Sequence, residues 1–469
     1  MNTVRQHSST DKNFILIITT LAAFLTSFGA TSMNVALPTI GREFAMDAVL
    51  LSWVVTAYVF ASALLLVPFG KVGDIYGRNK VFKGGMIVFT LASAGTALSS
   101  SSLMLICCRI LQGIGSGANY CVGISIVTSV FTTRELGKVL GINSTAVYLG
   151  QCLGPSLGGF LTQHLGWRSI FVINVALSLI MLVLIFRRMK GEWYEARGEK
   201  FDLQGSIIFV LPLFLIMYGF SQLSQTRGVW ITLLGALGLV AFVKRESRTK
   251  TPLLDISLFR RNRGFMFSNL ATMIHYSSTY ALTYLPVLYL QYIKRLTPGA
   301  AGLVMVSQPV VQALLSPVAG RVSDRMESPI VSSIGMTLTA AGLFLFTFLD
   351  QNTSVAFVFL SLVFLGFGYA FFAAPNAKAV MSSVQNRYYG VASGTIGTMR
   401  MVGMSFSMGI TIVIFSVYLG KVQITPTYYP LLLKCVKTAF TLFAVLCLVG
   451  ATLQSLARER NLRLPRVPT

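Results

Sequence analysis

Long apolar runs and short polar breaks alternate along the whole chain. Runs of roughly 18–25 residues with few charges are what a helix needs to cross a bilayer. Fourteen such helices are predicted: 14–38, 50–69, 81–98, 102–124, 139–162, 167–186, 205–222, 228–243, 265–292, 300–320, 329–349, 355–379, 390–418 and 436–457. A membrane β-barrel would instead show strands of about ten residues with alternating polarity, a pattern the chain lacks. The expected fold class is an all-α integral membrane protein. The first apolar run has no small-residue cleavage site and reads as a retained helix.

Composition agrees: 54% of the 469 residues are hydrophobic and only 11% charged, against about a quarter charged in soluble proteins. The net charge of +23 would suit a nucleic-acid binder, but its distribution argues otherwise. Of the 38 Lys and Arg residues, 28 fall on the side of the N-terminus, 8 on the other side, and Arg109 and Arg400 lie inside predicted helices. Such bias in short loops orients membrane proteins. Both termini are therefore predicted on the cytoplasmic side of the cell membrane. Anionic lipid headgroups are expected contacts of that face, with no nucleic-acid partner and a monomeric state. The six cysteines have neither zinc nor redox spacing, and no nucleophile–base pattern stands out. Neither an enzyme nor a bound metal or organic cofactor is expected.

The chain echoes itself. Leu37-Pro38 recurs as Leu285-Pro286, and Gly70-Lys71-Val72-Gly73-Asp74 as Gly320-Arg321-Val322-Ser323-Asp324, at offsets of 248 and 250 residues. The repeat suggests two parallel six-helix halves, 14–186 and 264–457, with a central segment 187–263 carrying two extra helices and a tail 458–469.

Between helices 2 and 3, Gly70, Gly73 and Gly77 permit a tight turn, while Asp74 can pair with Arg78. Helix 4 carries Arg109 and Gln112, about 10 Å deep at 1.5 Å per residue, where a charge needs a partner or a cavity. In helix 5, Gly150, Gly154 and Gly158 are spaced by four, with Pro155 and Gly159 beside them. That spacing suits a closely packed, bent helix. The loop resembles the signature between helices 2 and 3 of the major facilitator superfamily. The helix-4 and helix-5 runs resemble that family's proton-coupling and antiporter motifs. With Asn34-Val35-Ala36-Leu37-Pro38, Trp53 to Tyr58 and Trp167 to Asn174, the chain is similar to the fourteen-helix drug:proton antiporters. The resemblance implies a secondary transporter working by alternating access, exporting amphipathic drugs or metabolites with the proton as coupling ion. It also implies that the Gly70–Arg78 loop latches the two halves, and that Arg109 takes part in coupling.

One departure matters. Family members often carry an aspartate a few residues before the Asn-Val-Ala-Leu-Pro run, where this chain has Gly29. All fifteen carboxylates fall in loops, tails or helix edges. A permanent cation would find no counter-charge at depth, so the expected cargo is neutral, zwitterionic or anionic. The ionisable groups left at depth are Arg109, His275 and Arg400. His275 reads equally as a proton carrier or as a neutral, hydrogen-bonded packing residue. Tyr276, Tyr280 and Tyr284, each four apart, form one stripe of a continuous helix 9, which lines a cavity or packs. Asn34, Tyr58, Gln308, Gln312, Asn376 and Arg400 complete the cavity candidates, with Gln291 a lesser one. A lipid flippase, an uncoupled facilitator and a non-transporting sensor are the rival readings.

Overall fold

The computed structural model describes residues 9–189, 191–223, 226–248, 259, 262–384, 389–420 and 422–456. The predicted tail 458–469 and most of the basic stretch 249–261 lie outside these residues. Among the described residues, fourteen rods follow one another. They are α1 Ser9–Glu43, α2 Ala48–Tyr76, α3 Arg78–Ala97, α4 Ser102–Val130, α5 Thr133–His164, α6 Arg168–Arg188 and α7 Leu203–Ser221. The second series is α8 Thr226–Glu246, α9 Arg263–Thr279, α10 Pro298–Met305 continued by Ser307–Arg325, α11 Ser328–Leu345, α12 Val355–Ser382, α13 Tyr389–Tyr418 and α14 Tyr429–Leu456. Among the described residues, ten are long and apolar enough to cross a membrane by length and composition alone. Polar side chains at the ends of α3 and α5, and interruptions in rod 9, keep others below that mark.

Helix starts follow local chemistry. Asp47 accepts from the Leu50 amide at 2.7 Å, Asn262 from Phe265 at 2.9 Å, and Thr132 and Glu135 form a capping box on α5. Each satisfies amides that a helix start leaves unpaired. Two six-helix halves result. α1 packs along α5, and α2 and α3 along α4; α10 and α11 pack along α12, and α9 along α13 and α14. α7 and α8 pair with each other, and α7 leans on α2 and α13 at the seam.

Two predicted elements differ. The turn after helix 2 shrinks to one residue: Gly70, Gly73 and Asp74 lie on the last turns of α2, and Arg78 opens α3. Gly77, at φ 116°, makes the reversal alone. That conformation is nearly exclusive to glycine. Helix 9 is not continuous to residue 292. It ends at Thr279 and runs on as a 3-10 turn Tyr280–Thr283, a helical turn Leu285–Leu288 and a π turn Tyr289–Ile293. Pro286 has no amide proton to give back to Leu282 and disfavours α geometry before it. The tyrosine stripe is therefore broken after Tyr280.

The ends of the rods away from the N-terminus carry a continuous apolar core spanning both halves, including Leu37, Leu51, Trp167, Leu285, Leu288 and Phe415. The end that carries the N-terminus and the α2–α3 turn is called the basic face below.

Candidate functional site

The halves enclose a central cavity of about 130 Å³. At 10–15 Å³ per water centre this admits on the order of ten waters, or ~300 Å³ of ligand, the lower range for small-molecule sites. Its wall combines the rings of Tyr58, Tyr120, Tyr276, Tyr280 and Tyr369 with Met401, Met404, Gln151, Gln308 and Arg400. A second chamber of about 200 Å³ shares Tyr120, Val147, Tyr276 and Arg400 with it and adds Asn143, Tyr148 and Asn376. Among the described residues, no Asp or Glu lines either chamber.

Of the sequence candidates, Tyr58, Tyr276, Tyr280, Gln308 and Arg400 stand in the central wall, and Asn376 in the second chamber. Gln312 lies behind the wall, accepting from Gln308 Nε2 at 3.0 Å. Asn34 is also behind it, donating to the Thr283 hydroxyl at 3.0 Å. Tyr284 does not belong to the cavity. Fully buried, it points at Ser52 Oγ, 3.0 Å away, because the break after Tyr280 turns it out of register.

Arg109 and His275 are buried but line neither chamber. The Arg109 guanidinium lies 4.3 Å from the centroid of the Tyr58 ring, which lines the cavity. It donates to the Val54 carbonyl at 3.2 Å and to Gln112 Oε1 at 2.5 Å, while Gln112 donates to Ser93 Oγ at 2.8 Å. Tyr58 in turn shares a 2.7 Å hydrogen bond with Ser116. The motif thus backs the cavity wall instead of facing the cavity. His275 stacks on Phe372 with ring centroids 3.9 Å apart, and Tyr369 and Tyr276 meet it edge-on.

Tyr120, Tyr148, Tyr369, Met305, Met401 and Met404 were missed in the sequence. For Tyr120 a signal existed: Arg109, Gln112, Ser116 and Tyr120 fall at helical spacing on one face of α4.

On the basic face, Arg78 binds Asp74 at 2.7 Å, Glu195 at 2.7 Å, the Ser125 carbonyl at 3.0 Å and the Ser129 hydroxyl. Glu192 accepts from the Asn79 amide at 2.6 Å, and Lys71 pairs with Glu199 at 2.7 Å. The Asp74 carbonyl accepts from the Glu195 and Ala196 amides. Among the described residues, these partners belong to the N-terminal half and to the segment 191–199, not to the C-terminal half. A Cβ on Gly77 would lie 2.5 Å from the Glu192 carboxyl carbon.

Hydrogen bonds that join the halves gather at the opposite face. Gln291 reaches the Val35 carbonyl at 2.7 Å, Gln423 the Ala45 carbonyl at 3.0 Å, and the Ala48 amide the Val422 carbonyl at 3.1 Å. The helix-5 run serves two neighbours there. Cβ atoms on Gly150, Gly154 and Gly158 would press on α1, 2.7 Å from the Phe24 carbonyl, 3.0 Å from the Ser32 amide and 2.7 Å from Ser32 Cα respectively. One on Gly159 would lie 3.1 Å from Gly299 Cα in α10, and one on Gly302 would strike the Pro155 carbonyl. The structure is thus sealed at the face away from the N-terminus, and its second chamber runs toward the basic face, past Met381 and Ile396.

The Major Facilitator Superfamily profile matches residues 19–292 and 265–467. The chain is 29% identical over 401 residues to the riboflavin transporter RibZ of Clostridioides difficile strain 630, covering 85% of this chain and 86% of that one. It is 29% identical over 402 residues to the multidrug resistance protein Stp of Mycobacterium tuberculosis, covering 84% and 74%. Among solved structures it superposes on a bacterial homologue of the human lysosomal transporter Spinster, in an inward-facing, unoccupied conformation. That match has a TM-score of 0.71 and 16% identity, over 99% of this chain and 100% of that one. With both halves matched and the fold shared, the chain belongs to the Major Facilitator Superfamily and is a multi-pass membrane transporter, not an enzyme.

Proposed function

We propose that this transporter exports flat, amphipathic small molecules from the cytoplasm, in exchange for protons, and that its cargo is neutral, zwitterionic or anionic. The observation that carries this reading is the cavity wall: five tyrosine rings and three methionines with Arg400, and no carboxylate among the described lining residues. Aromatic faces suit planar cargo, and a guanidinium without a nearby acid repels a permanent cation. RibZ, whose name assigns it riboflavin, and Stp, named for multidrug resistance, support planar and drug-like cargo.

In this reading the basic face is cytoplasmic. Cargo enters by the second chamber, the halves rock about the cavity, and the contacts of Gln291, Gln423 and Gly302 part at the outer face. Asp74 and Arg78, with Glu195, brace the α2–α3 turn in the observed state, Arg109 stiffens the Tyr58 wall, and anionic headgroups meet the basic loops. Its test is transport into proteoliposomes under an imposed pH gradient, with riboflavin and a panel of neutral and anionic dyes. Cargo movement accompanied by proton counterflow is expected. Cargo movement without proton flux would leave the cargo class standing and replace exchange with facilitation. No movement of any planar compound would refute the reading.

A further inference from the structure

The two arginines at depth are not equivalent: Arg109 is buried, and Arg400 is half-buried at the cavity wall. Arg109 has its donors committed to Val54 and Gln112, with the Tyr58 ring beside it. Arg400 lies about 16 Å along α13 from its start and lines both chambers. Its guanidinium carbon is 5.0 Å from the Tyr276 ring centroid, and the Tyr120 hydroxyl is its hydrogen-bonding neighbour. Its Nε is buried without a hydrogen-bond partner. A guanidinium has five donors in a planar fork, and an unmet donor at depth is costly. No ring, amide or hydroxyl nearby supplies a negative charge, and no carboxylate lines either chamber among the described residues.

We infer that Arg400 is an anion subsite of the cavity, accepting the carboxylate, sulfonate or phenolate group of a flat aromatic cargo whose rings lie against Tyr276 and Tyr280. The cargo supplies the charge that the protein withholds, and the fork binds it in two hydrogen bonds. Anion and rings are matched at once, since Arg400 and Tyr276 share both chambers and Tyr280 flanks the central one. The inference rests on the central cavity being the cargo site.

Binding of naphthalene-1-sulfonate and of its neutral isostere naphthalene-1-sulfonamide to the full chain in nanodiscs tests it, by calorimetric titration. The expected result is a preference for the sulfonate of about tenfold or more, in the range of a charge-assisted hydrogen bond. Arg400→Gln should abolish that preference and leave sulfonamide affinity within about threefold, since one neutral contact changes. Arg400→Lys keeps the charge without the fork and should retain part of the preference; it also decides the matter should the glutamine variant not fold. Sulfonamide binding with no sulfonate preference, or a preference that survives Arg400→Gln, overturns the subsite and leaves the cavity reading intact. If neither probe binds the unaltered protein, both fall.

Discussion

Glu192→Gln combined with Glu195→Gln should loosen the α2–α3 turn and shift the transporter away from the observed state. Glu192 caps the start of α3 through the Asn79 amide at 2.6 Å. A charged cap at a helix start stabilises by about 1 kcal/mol. The Glu195–Arg78 pair is short, 2.7 Å, but the glutamate side chain is 71% exposed, so solvent screening limits it to ~0.5 kcal/mol. The backbone bonds from Glu195 and Ala196 to Asp74 survive both changes. The net loss is then ~1–2 kcal/mol, or about five- to thirtyfold in a two-state equilibrium if these contacts exist in one state only. The assay is the maleimide reaction rate of a cysteine placed at Asn143, in the second chamber, in a chain whose native cysteines are replaced. The rate should fall about three- to tenfold, bounded by that same shift. An unchanged rate with intact folding would show that the segment 191–199 holds the turn equally in every state, and would refute the reasoning.

Gly302→Ala places a methyl against the Pro155 carbonyl across the seam of the halves. Overpacking of ~1–3 kcal/mol should open the outer face, seen as faster labelling of Thr283→Cys by an impermeant maleimide from that side. Gly29→Asp puts a carboxylate beside Asn174, whose side-chain amide is buried without a hydrogen-bond partner and whose Nδ2 lies 3.1 Å from where a Cβ at residue 29 would be. This variant should gain measurable efflux of ethidium; none would show that position 29 does not govern cargo charge. Hydrogen bonds from Arg245, opposed by some desolvation and helped by the Gly205 amide, hold the Asp202 carboxyl below its ordinary value. Its contribution is therefore present above about pH 4 and lost as pH falls through the lowered value. Asp202→Asn should lower the melting temperature at pH 7, and the difference should shrink toward pH 3.

Helix number was legible because apolar runs of spanning length recur between short polar breaks, and the two-half plan because the Leu-Pro and loop motifs recur at offsets of 248 and 250 residues. The pairing of Asp74 with Arg78 was legible because an i, i+4 spacing fixes neighbours on a helix. What escaped depends on long-range geometry. Glu192 and Glu195 looked like loop charges, and nothing local brings them to a turn more than a hundred residues earlier. Tyr284 looked like the third member of a stripe because four-residue spacing assumes an unbroken helix, and Pro286 breaks it. Arg109 was expected to meet either a partner or a cavity, because depth in a helix does not say which face a side chain takes; its donors go to Val54 and Gln112.

The central claim is that a carboxylate-free cavity around Arg400 rejects permanent cations and accepts planar neutral or anionic cargo. It is tested most directly by flux of tetraphenylphosphonium and naphthalene-1-sulfonate measured side by side in the same proteoliposomes. The account predicts protein-dependent movement of the sulfonate and none of the phosphonium above empty vesicles. Robust phosphonium transport with the sulfonate left behind would contradict it.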